Sequence, residues 1–403
     1  MEAAKKYFVP GVLAASFLAR AAYALYTGNS FIFPDEGFHH GLAVSMLSSA
    51  DWGGLFHNRE PLYPVLVWLT YKLAGPLPAG VKLLQAALST FGVYLLYRTA
   101  AGTFGRGAGR LALLLAAFYP FSIFYDARLL RESLLVFLGI AALYFALKPG
   151  GRARDAAAAS AVAGIAVMAK TVFLFYWLPV LLAGLLLRKL RPAAALAGAA
   201  AFLAALSPLL VYNYSHTGQA FLTRGQLHNV YVPIVVDLDV PGTAGENEAL
   251  YAIPEYKAGM ALPEAERDAF FKARILEELR LRPGNFARRT AWRFFKLWRP
   301  YPHRGLDYAA GSWALLAAVS LLSDGWLIPL GFWAAFSLRR RLGELYPVYL
   351  YVASFTLIYS LSWSQMRYRL PLMPALLLLA APLLARAAGK AGLDFFKEET
   401  THA

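Results

Sequence analysis

Long apolar runs broken by short charged clusters dominate the chain. Crossing a bilayer as an α-helix takes about 20 mostly apolar residues. Runs of that kind occupy roughly 7–27, 79–99, 108–125, 130–147, 156–170, 171–187, 193–212, 313–336, 346–362 and 368–386. They predict an all-α polytopic membrane protein with about ten spanning helices. The first run follows Lys5-Lys6 but lacks a small-residue cleavage site and continues into Tyr23 and Tyr26, so it reads as a retained helix. Stretch 61–75 is apolar but short, with Pro61 and Pro64 in its first turn and Gly75-Pro76-Leu77-Pro78 at its end.

Charge decides how to treat that stretch. If 61–75 lies in the outer interface, Lys5 and Lys6 share a side with Arg98/Arg106/Arg110, Lys148/Arg152/Arg154, Arg188/Lys189/Arg191 and Arg339/Arg340/Arg341. If it spans, the Arg98 and Lys148 clusters flip outward. The basic bias of cytoplasmic loops favours the first topology, with both termini cytoplasmic and interfacial helices in the first outer loop. The chain then divides into 1–212, a transmembrane catalytic module that includes outer loop 28–78; 213–312, an outer, periplasmic subdomain; and 313–403, the last spans and a short cytoplasmic tail. The middle part holds 11 of the 24 acidic residues and alone has soluble-protein composition. Within it, 263–282 carries its acids early and its arginines late, as a helix dipole prefers. The alanine-rich stretches 155–169 and 193–205 supply the small residues that close helix packing in lipid requires.

Composition sharpens the class. The chain is 59% hydrophobic and 16% charged, too apolar for a soluble protein of 403 residues. Its 39 Lys+Arg against 24 Asp+Glu reflect the cytoplasmic bias together with anionic lipid or phosphate ligands, not nucleic acid. It contains no cysteine, which excludes disulfide and thiolate chemistry.

Candidate chemistry gathers on the outer side. Pro34-Asp35-Glu36-Gly37-Phe38-His39-His40 reads as a helix start, with acids at its positive end. Asp35 and His39 share one face, Glu36 and His40 the next. A base or a divalent-cation site at the membrane surface would use such groups; a capped interfacial helix with solvated charges is the competing reading. His57 is a further imidazole at that level. Arg59-Glu60 precedes Pro61-Leu62-Tyr63-Pro64, where a cation meets headgroup phosphates. The turn Tyr125-Asp126-Ala127-Arg128-Leu129-Leu130-Arg131-Glu132 packs charges between two apolar runs, a costly placement unless they are paired or used. Lys170 stands alone between two apolar runs. Arg367 and Arg369 precede the last one, and their i,i+2 spacing lets only one of them face a given site. There is no G-x-S-x-G elbow, no HExxH and no phosphate-cradling glycine loop, so nucleotide chemistry is unsupported. Group transfer from a membrane-borne phosphate donor fits what remains: cations hold the phosphate and a carboxylate deprotonates an acceptor hydroxyl.

The order of these features resembles the GT-C superfamily of polytopic glycosyltransferases, in the branch of protein O-mannosyltransferases and lipid A aminoarabinose transferases. The residues that carry the likeness are Asp35-Glu36, Arg59-Glu60-Pro61-Leu62-Tyr63-Pro64, Glu132 or Asp126, Ala169-Lys170-Thr171, Pro208 through Asn213-Tyr214, Arg293 through Trp298, and Arg367-Tyr368-Arg369-Leu370-Pro371. The resemblance implies a polyprenyl-phosphate-linked sugar as donor and a lipid, glycan or protein as acceptor, in a bacterial inner membrane with the site facing outward. It implies Asp35 as base with Glu36 in support, and Glu132 or Asp126 orienting sugar, acceptor or a cation. Phosphate contacts would come from Arg59, Lys170, Arg128, Arg131 and one of Arg367 and Arg369, and sugar or acceptor contacts from Glu60, Tyr63 and Asn213. The chain departs from the pattern where Tyr212-Asn213-Tyr214 replaces an Arg-Asn-Tyr step. A lipid-linked-sugar flippase would need polar groups at mid-membrane or an inverted repeat, and a non-catalytic scaffold would tolerate charge-neutral changes at Asp35 and Arg59.

Overall fold

The computed structural model describes residues 2–49, 52, 56–236, 245–301 and 310–396. Parts of outer loops 28–78 and 213–312 lie outside the described residues. Helices account for nearly all the regular structure, and no strand occurs among the described residues.

The first half contains α1 (Glu2–Thr27), α2 (Pro34–Ser48), α3 (Leu62–Ala74), α4 (Pro78–Phe104), α5 (Arg106–Ala117), α6 (Pro120–Asp126), α7 (Glu132–Ala146), α8 (Ala153–Ala169), α9 (Val172–Leu186) and α10 (Pro192–Thr217). The region between α10 and α16 follows with α11 (His228–Tyr231), α12 (Gly245–Tyr251), α13 (Pro254–Ala261), α14 (Glu264–Leu281) and α15 (Pro283–Trp298). The chain closes with α16 (Ala310–Ser337), α17 (Leu342–Leu361), a 3₁₀ segment Met366–Leu372 and α18 (Met373–Lys390). Prolines open α2, α4, α6 and α10, where a missing N–H costs nothing. Gly75 and Gly105, at φ 86 and 95, make the sharp exits from α3 and α4 that a Cβ would strain.

Length and apolarity identify five described helices able to cross a membrane: Lys6–Thr27, Pro78–Phe104, Pro192–Thr217, Trp313–Ser337 and Met366–Lys390. The run expected at 108–125 is not one straight helix. It breaks before Pro120 into α5 and α6, bent by 50°, which count as a sixth span if taken together. The expected ten therefore also counted α7 and α9, each 15 residues, or about 22 Å of rise, short of a roughly 30 Å hydrocarbon core. It counted α8 and the tyrosine-rich α17 as well, which fall outside the same criteria. Stretch 61–75 forms the 13-residue α3, too short to cross, and packs against α2 and α4.

Small residues hold the bundle together. A Cβ on Gly164 would meet Ala205 Cβ at 2.8 Å, and one on Gly198 would meet Ser160 Oγ at 2.8 Å, so α8 and α10 approach as closely as their alanine-rich sequences suggest. α18 runs through the middle of the bundle, buried from Met373 to Pro382. The α11–α15 region has its own small core of Tyr231, Val232, Ile234, Leu250, Tyr256, Phe271 and Ile275. Stretch 263–282 forms α14, as its charge order suggests.

Candidate functional site

Three segments far apart in sequence converge at the first turn of α2. Proline at the start and two acids in the first turn fix that helix end. Its two carboxylates then diverge. Glu36 is fully buried: Oε1 accepts from the Ile32 and Phe33 N–H groups at 2.9 and 3.0 Å, and Oε2 from the Leu129 N–H at 2.8 Å. It ties the first outer loop to the α6–α7 turn. The Asp35 side chain remains 52% exposed and pairs with Arg367 Nη2 at 2.8 Å. Burial pushes the Asp35 carboxyl up, but the surrounding positive charge, Arg367 foremost by charge and hydrogen bond, holds the group below its ordinary value.

Arg367 also reaches Glu132, Nε to Oε1 at 3.6 Å, where the carboxylate is 5% exposed at the start of α7. Beside this chain stands a second pair, Arg131 Nη1 to Glu60 Oε2 at 2.8 Å. Glu60 Oε1 accepts from the Thr171 N–H and Oγ1, both at 3.3 Å. Burial would raise the Glu60 carboxyl, yet Lys170, Arg131 and the backbone donors bring it down to about 2. Lys170 lies in the extended link between α8 and α9, its Nζ 5.8 Å from the Tyr368 ring. Arg367 lies 5.4 Å from the same ring, and Tyr368 stacks on Tyr359 at 5.0 Å. Arg59 donates to Asn58 Oδ1 at 3.0 Å and covers the Phe38 ring at 4.3 Å.

The charge tally is uneven. Asp35, Glu60 and Glu132 face Arg59, Arg131, Lys170 and Arg367. Arg131 and Arg367 consume the carboxylates, so Lys170 and Arg59 have no carboxylate partner among the described residues. An anion bound at either would meet a cation that no carboxylate touches, though Glu60 acts on both at longer range, and a hydroxyl beside Asp35 would meet an ionised carboxylate.

Several sequence candidates fall elsewhere. Asp126 is 1% exposed and locked by Arg20 Nε at 2.8 Å and Ser89 Oγ at 2.6 Å. Arg369 is buried against Asp324 and caps carbonyls of Leu297 and Arg299, so of the i,i+2 pair only Arg367 joins the Asp35 cluster. Arg128 packs over Phe124 at 4.5 Å and donates to Tyr23 at 3.1 Å, on the α1 side of its turn. The Tyr63 hydroxyl donates to Gln85 Oε1 at 2.8 Å, and Asn213 donates to the Phe221 carbonyl at 2.7 Å; both side chains are buried in the scaffold. His40 bonds Tyr71 at 2.8 Å, and the His57 ring lies 5.7 Å from Phe221. No group of three or more His, Cys, Asp or Glu side chains able to hold a metal occurs among the described residues, so the Asp35/His39 pair has no third donor there.

Residue-by-residue reading overlooked the buried supports. Arg20 and Asp324 are charges inside the apolar helices α1 and α16, a signal in itself. Lys82, also buried, donates to the Gly28 and Ser30 carbonyls at 2.8 and 3.0 Å and so fixes the loop leading to Asp35. Outside the cluster, the backbone of Arg224 donates to His57 O at 2.7 Å and Asn58 donates to Glu264 at 3.0 Å, which seats the region between α10 and α16 on the Arg59 segment.

A family model for dolichyl-phosphate-mannose-protein mannosyltransferase matches residues 58–212, a segment that holds Arg59, Glu60, Arg131, Glu132 and Lys170. No curated protein matches the chain by sequence. Among solved structures it is similar to the oligosaccharyltransferase AglB from Archaeoglobus fulgidus in complex with an inhibitory peptide and a dolichol-phosphate, at 14% identity and TM-score 0.58, over 97% of this chain and 51% of that one. It is also similar to ArnT from Cupriavidus metallidurans bound to undecaprenyl phosphate, at 18% identity and TM-score 0.55, over 96% and 62%. The apo state of ArnT matches at 16% identity and TM-score 0.56, over 97% and 63%. The chain thus spans about half to under two thirds of the structures it matches. Its fold is therefore the one that AglB and ArnT share.

Proposed function

We propose that the protein is an inverting membrane glycosyltransferase that moves a sugar from a polyprenyl-phosphate donor to an acceptor hydroxyl on the outer side of a bacterial inner membrane. The observation that carries this reading is the half-exposed, ionised Asp35 held by Arg367 beside two cations without carboxylate partners. Dolichol-phosphate and undecaprenyl phosphate in the AglB and ArnT structures support a lipid phosphate as the anion.

Lys170 and Arg59 hold the phosphate of the donor, and Asp35 takes the proton of the acceptor hydroxyl. The freed oxygen attacks the anomeric carbon as the bond from that carbon to the phosphate oxygen breaks. The polyprenyl phosphate leaves with the bonding electron pair, and the cations stabilise the charge that develops on it. Attack opposite the leaving group inverts the anomeric centre. Arg367, which bridges Asp35 and Glu132, acts by positioning the base, and the Arg131–Glu60 pair fixes the link that carries Lys170 through Thr171. The outer region 213–312, seated on Asn58, shapes access for the acceptor.

The test is transfer by Asp35→Asn in proteoliposomes, with a panel of undecaprenyl-phosphate sugars. Loss of a general base lowers the rate by roughly 10²- to 10⁴-fold while leaving lipid binding intact. Wild-type activity in Asp35→Asn would refute the assignment, and Asp35→Glu separates base placement from charge alone.

A further inference from the structure

His39 is the one imidazole in the cluster that the mechanism leaves unused. It sits one helical turn after Asp35 on α2, is 9% exposed, and meets the edge of Tyr63 at 4.8 Å between centroids. Tyr63 is itself fixed by Gln85, so the ring stands on a rigid support. Neither ring nitrogen has a hydrogen-bond partner among the described residues, and Nδ1 is fully enclosed. Buried N–H groups without acceptors are rarer and costlier than bare acceptor nitrogens, so the hydrogen belongs on Nε2, the nitrogen that is not sealed off. The charges that act on the ring are Asp35, which favours its protonation, and Arg131, Arg367 and Arg59, which oppose it. Burial and those cations hold the imidazole at about 3, neutral at any working pH and unsuited to proton transfer there.

A neutral N–H donor without a partner thus stands one helical turn from the carboxylate that would receive the acceptor proton. The transferring sugar must lie beside that same carboxylate, because its anomeric carbon receives the acceptor oxygen. We propose that His39 hydrogen-bonds a hydroxyl of the transferring sugar through Nε2–H and thereby selects the donor's glycosyl group. This rests on the glycosyltransferase reading above. A site built to hydrogen-bond a hydroxyl rejects analogues that lack it far better than an apolar wall does.

The experiment compares binding of bare undecaprenyl phosphate with binding of undecaprenyl-phosphate mannose, galactose and arabinose and their deoxy forms, using the full chain in nanodiscs. The wild type should bind one sugar-bearing lipid roughly tenfold or more tighter than the bare lipid, about the worth of one good hydrogen bond. His39→Phe keeps an aromatic edge against Tyr63 and should erase that increment while bare-lipid affinity holds. His39→Gln, which returns an N–H near the Nε2 position, should restore much of it, and His39→Asn should not. If the wild type gains while His39→Phe gains equally, the inference is overturned. It is also overturned if His39→Phe loses bare-lipid binding and melting temperature together, because the role is then structural. If the wild type binds the bare lipid and gains nothing from any sugar, the glycosyltransferase reading itself fails.

Discussion

Arg367 and Arg369 lie two residues apart on one 3₁₀ segment and serve opposite ends. Arg369 is 2% exposed, its guanidinium spent on Asp324 and on the Leu297 and Arg299 carbonyls. The Arg20–Asp126 pair is of the same kind, closed by Ser16, Ser89 and the Ala117 carbonyl. Around Arg367 the bonding is incomplete. Glu132 Oε2 is enclosed without a partner, Asp35 is half exposed, and Lys170 and Arg59 have no carboxylate partner among the described residues. A buried charge whose hydrogen bonds are all satisfied is part of the scaffold. One left short of partners in a membrane protein is costly unless a ligand completes it.

The scaffold side of this contrast breaks most severely. Removing one partner of a buried ion pair leaves the other uncompensated, at about 3–5 kcal/mol. Arg369→Met and Asp324→Asn should each lower thermal stability in detergent by that order, and the double change Arg369→Met/Asp324→Leu should recover most of it. Asp35→Asn should leave the melting temperature nearly unchanged while removing transfer. If Asp324→Asn is as stable as the wild type, satisfied bonding no longer marks scaffold here.

The same contrast explains what was legible in the sequence. Apolar runs, proline starts and charge clusters exposed the helical architecture, because bilayer solvation and helix ends impose local patterns. The turns at Asp35, Arg59, Glu132 and Lys170 stood out because charges beside apolar runs need a reason. What sequence could not resolve was which neighbour each charge meets. Asp126 and Glu132 are six residues apart and look equivalent, yet the break before Pro120 turns Asp126 toward Arg20 while α7 carries Glu132 to Arg367. Glu36 beside Asp35 reads as a second acid, and only the fold shows it accepting the Leu129 N–H. Span counting meets a related limit: α7 and α9 are apolar enough but only 15 residues long, so length and composition do not by themselves make them spans.

The open side can be sharpened at Lys170. If its charge holds a lipid phosphate, Lys170→Met removes a charge-assisted contact of about 1.5–3 kcal/mol, and affinity for undecaprenyl phosphate falls roughly 10- to 100-fold. Lys170 touches no carboxylate but helps to hold the Glu60 carboxyl down at longer range, so the melting temperature without lipid should fall less than for Asp324→Asn. Affinity that survives the change would move the phosphate to Arg59 alone.

The mildest change probes how the two kinds of charge meet at Arg367. Burial pushes the Asp35 carboxyl up, and the surrounding positive charge, Arg367 foremost by charge and hydrogen bond, brings it below 3.8. A depressed carboxyl stays ionised until the pH falls through that lowered value, so the wild-type base works across the whole neutral range and fails only in strong acid. Arg367→Gln removes the largest of the lowering influences and leaves burial in place, so the carboxyl rises. The acid limb of the kcat/KM profile should therefore move to higher pH, with a modest loss of rate at neutral pH where the base is still ionised. Glu132 supplies the control. Glu132→Gln leaves the 2.8 Å Arg367–Asp35 pair intact, so its acid limb should stay near that of the wild type. If both variants shift the limb equally, Arg367 holds Asp35 only through Glu132, and the exposed carboxylate owes its ionisation to the whole cluster and not to one guanidinium.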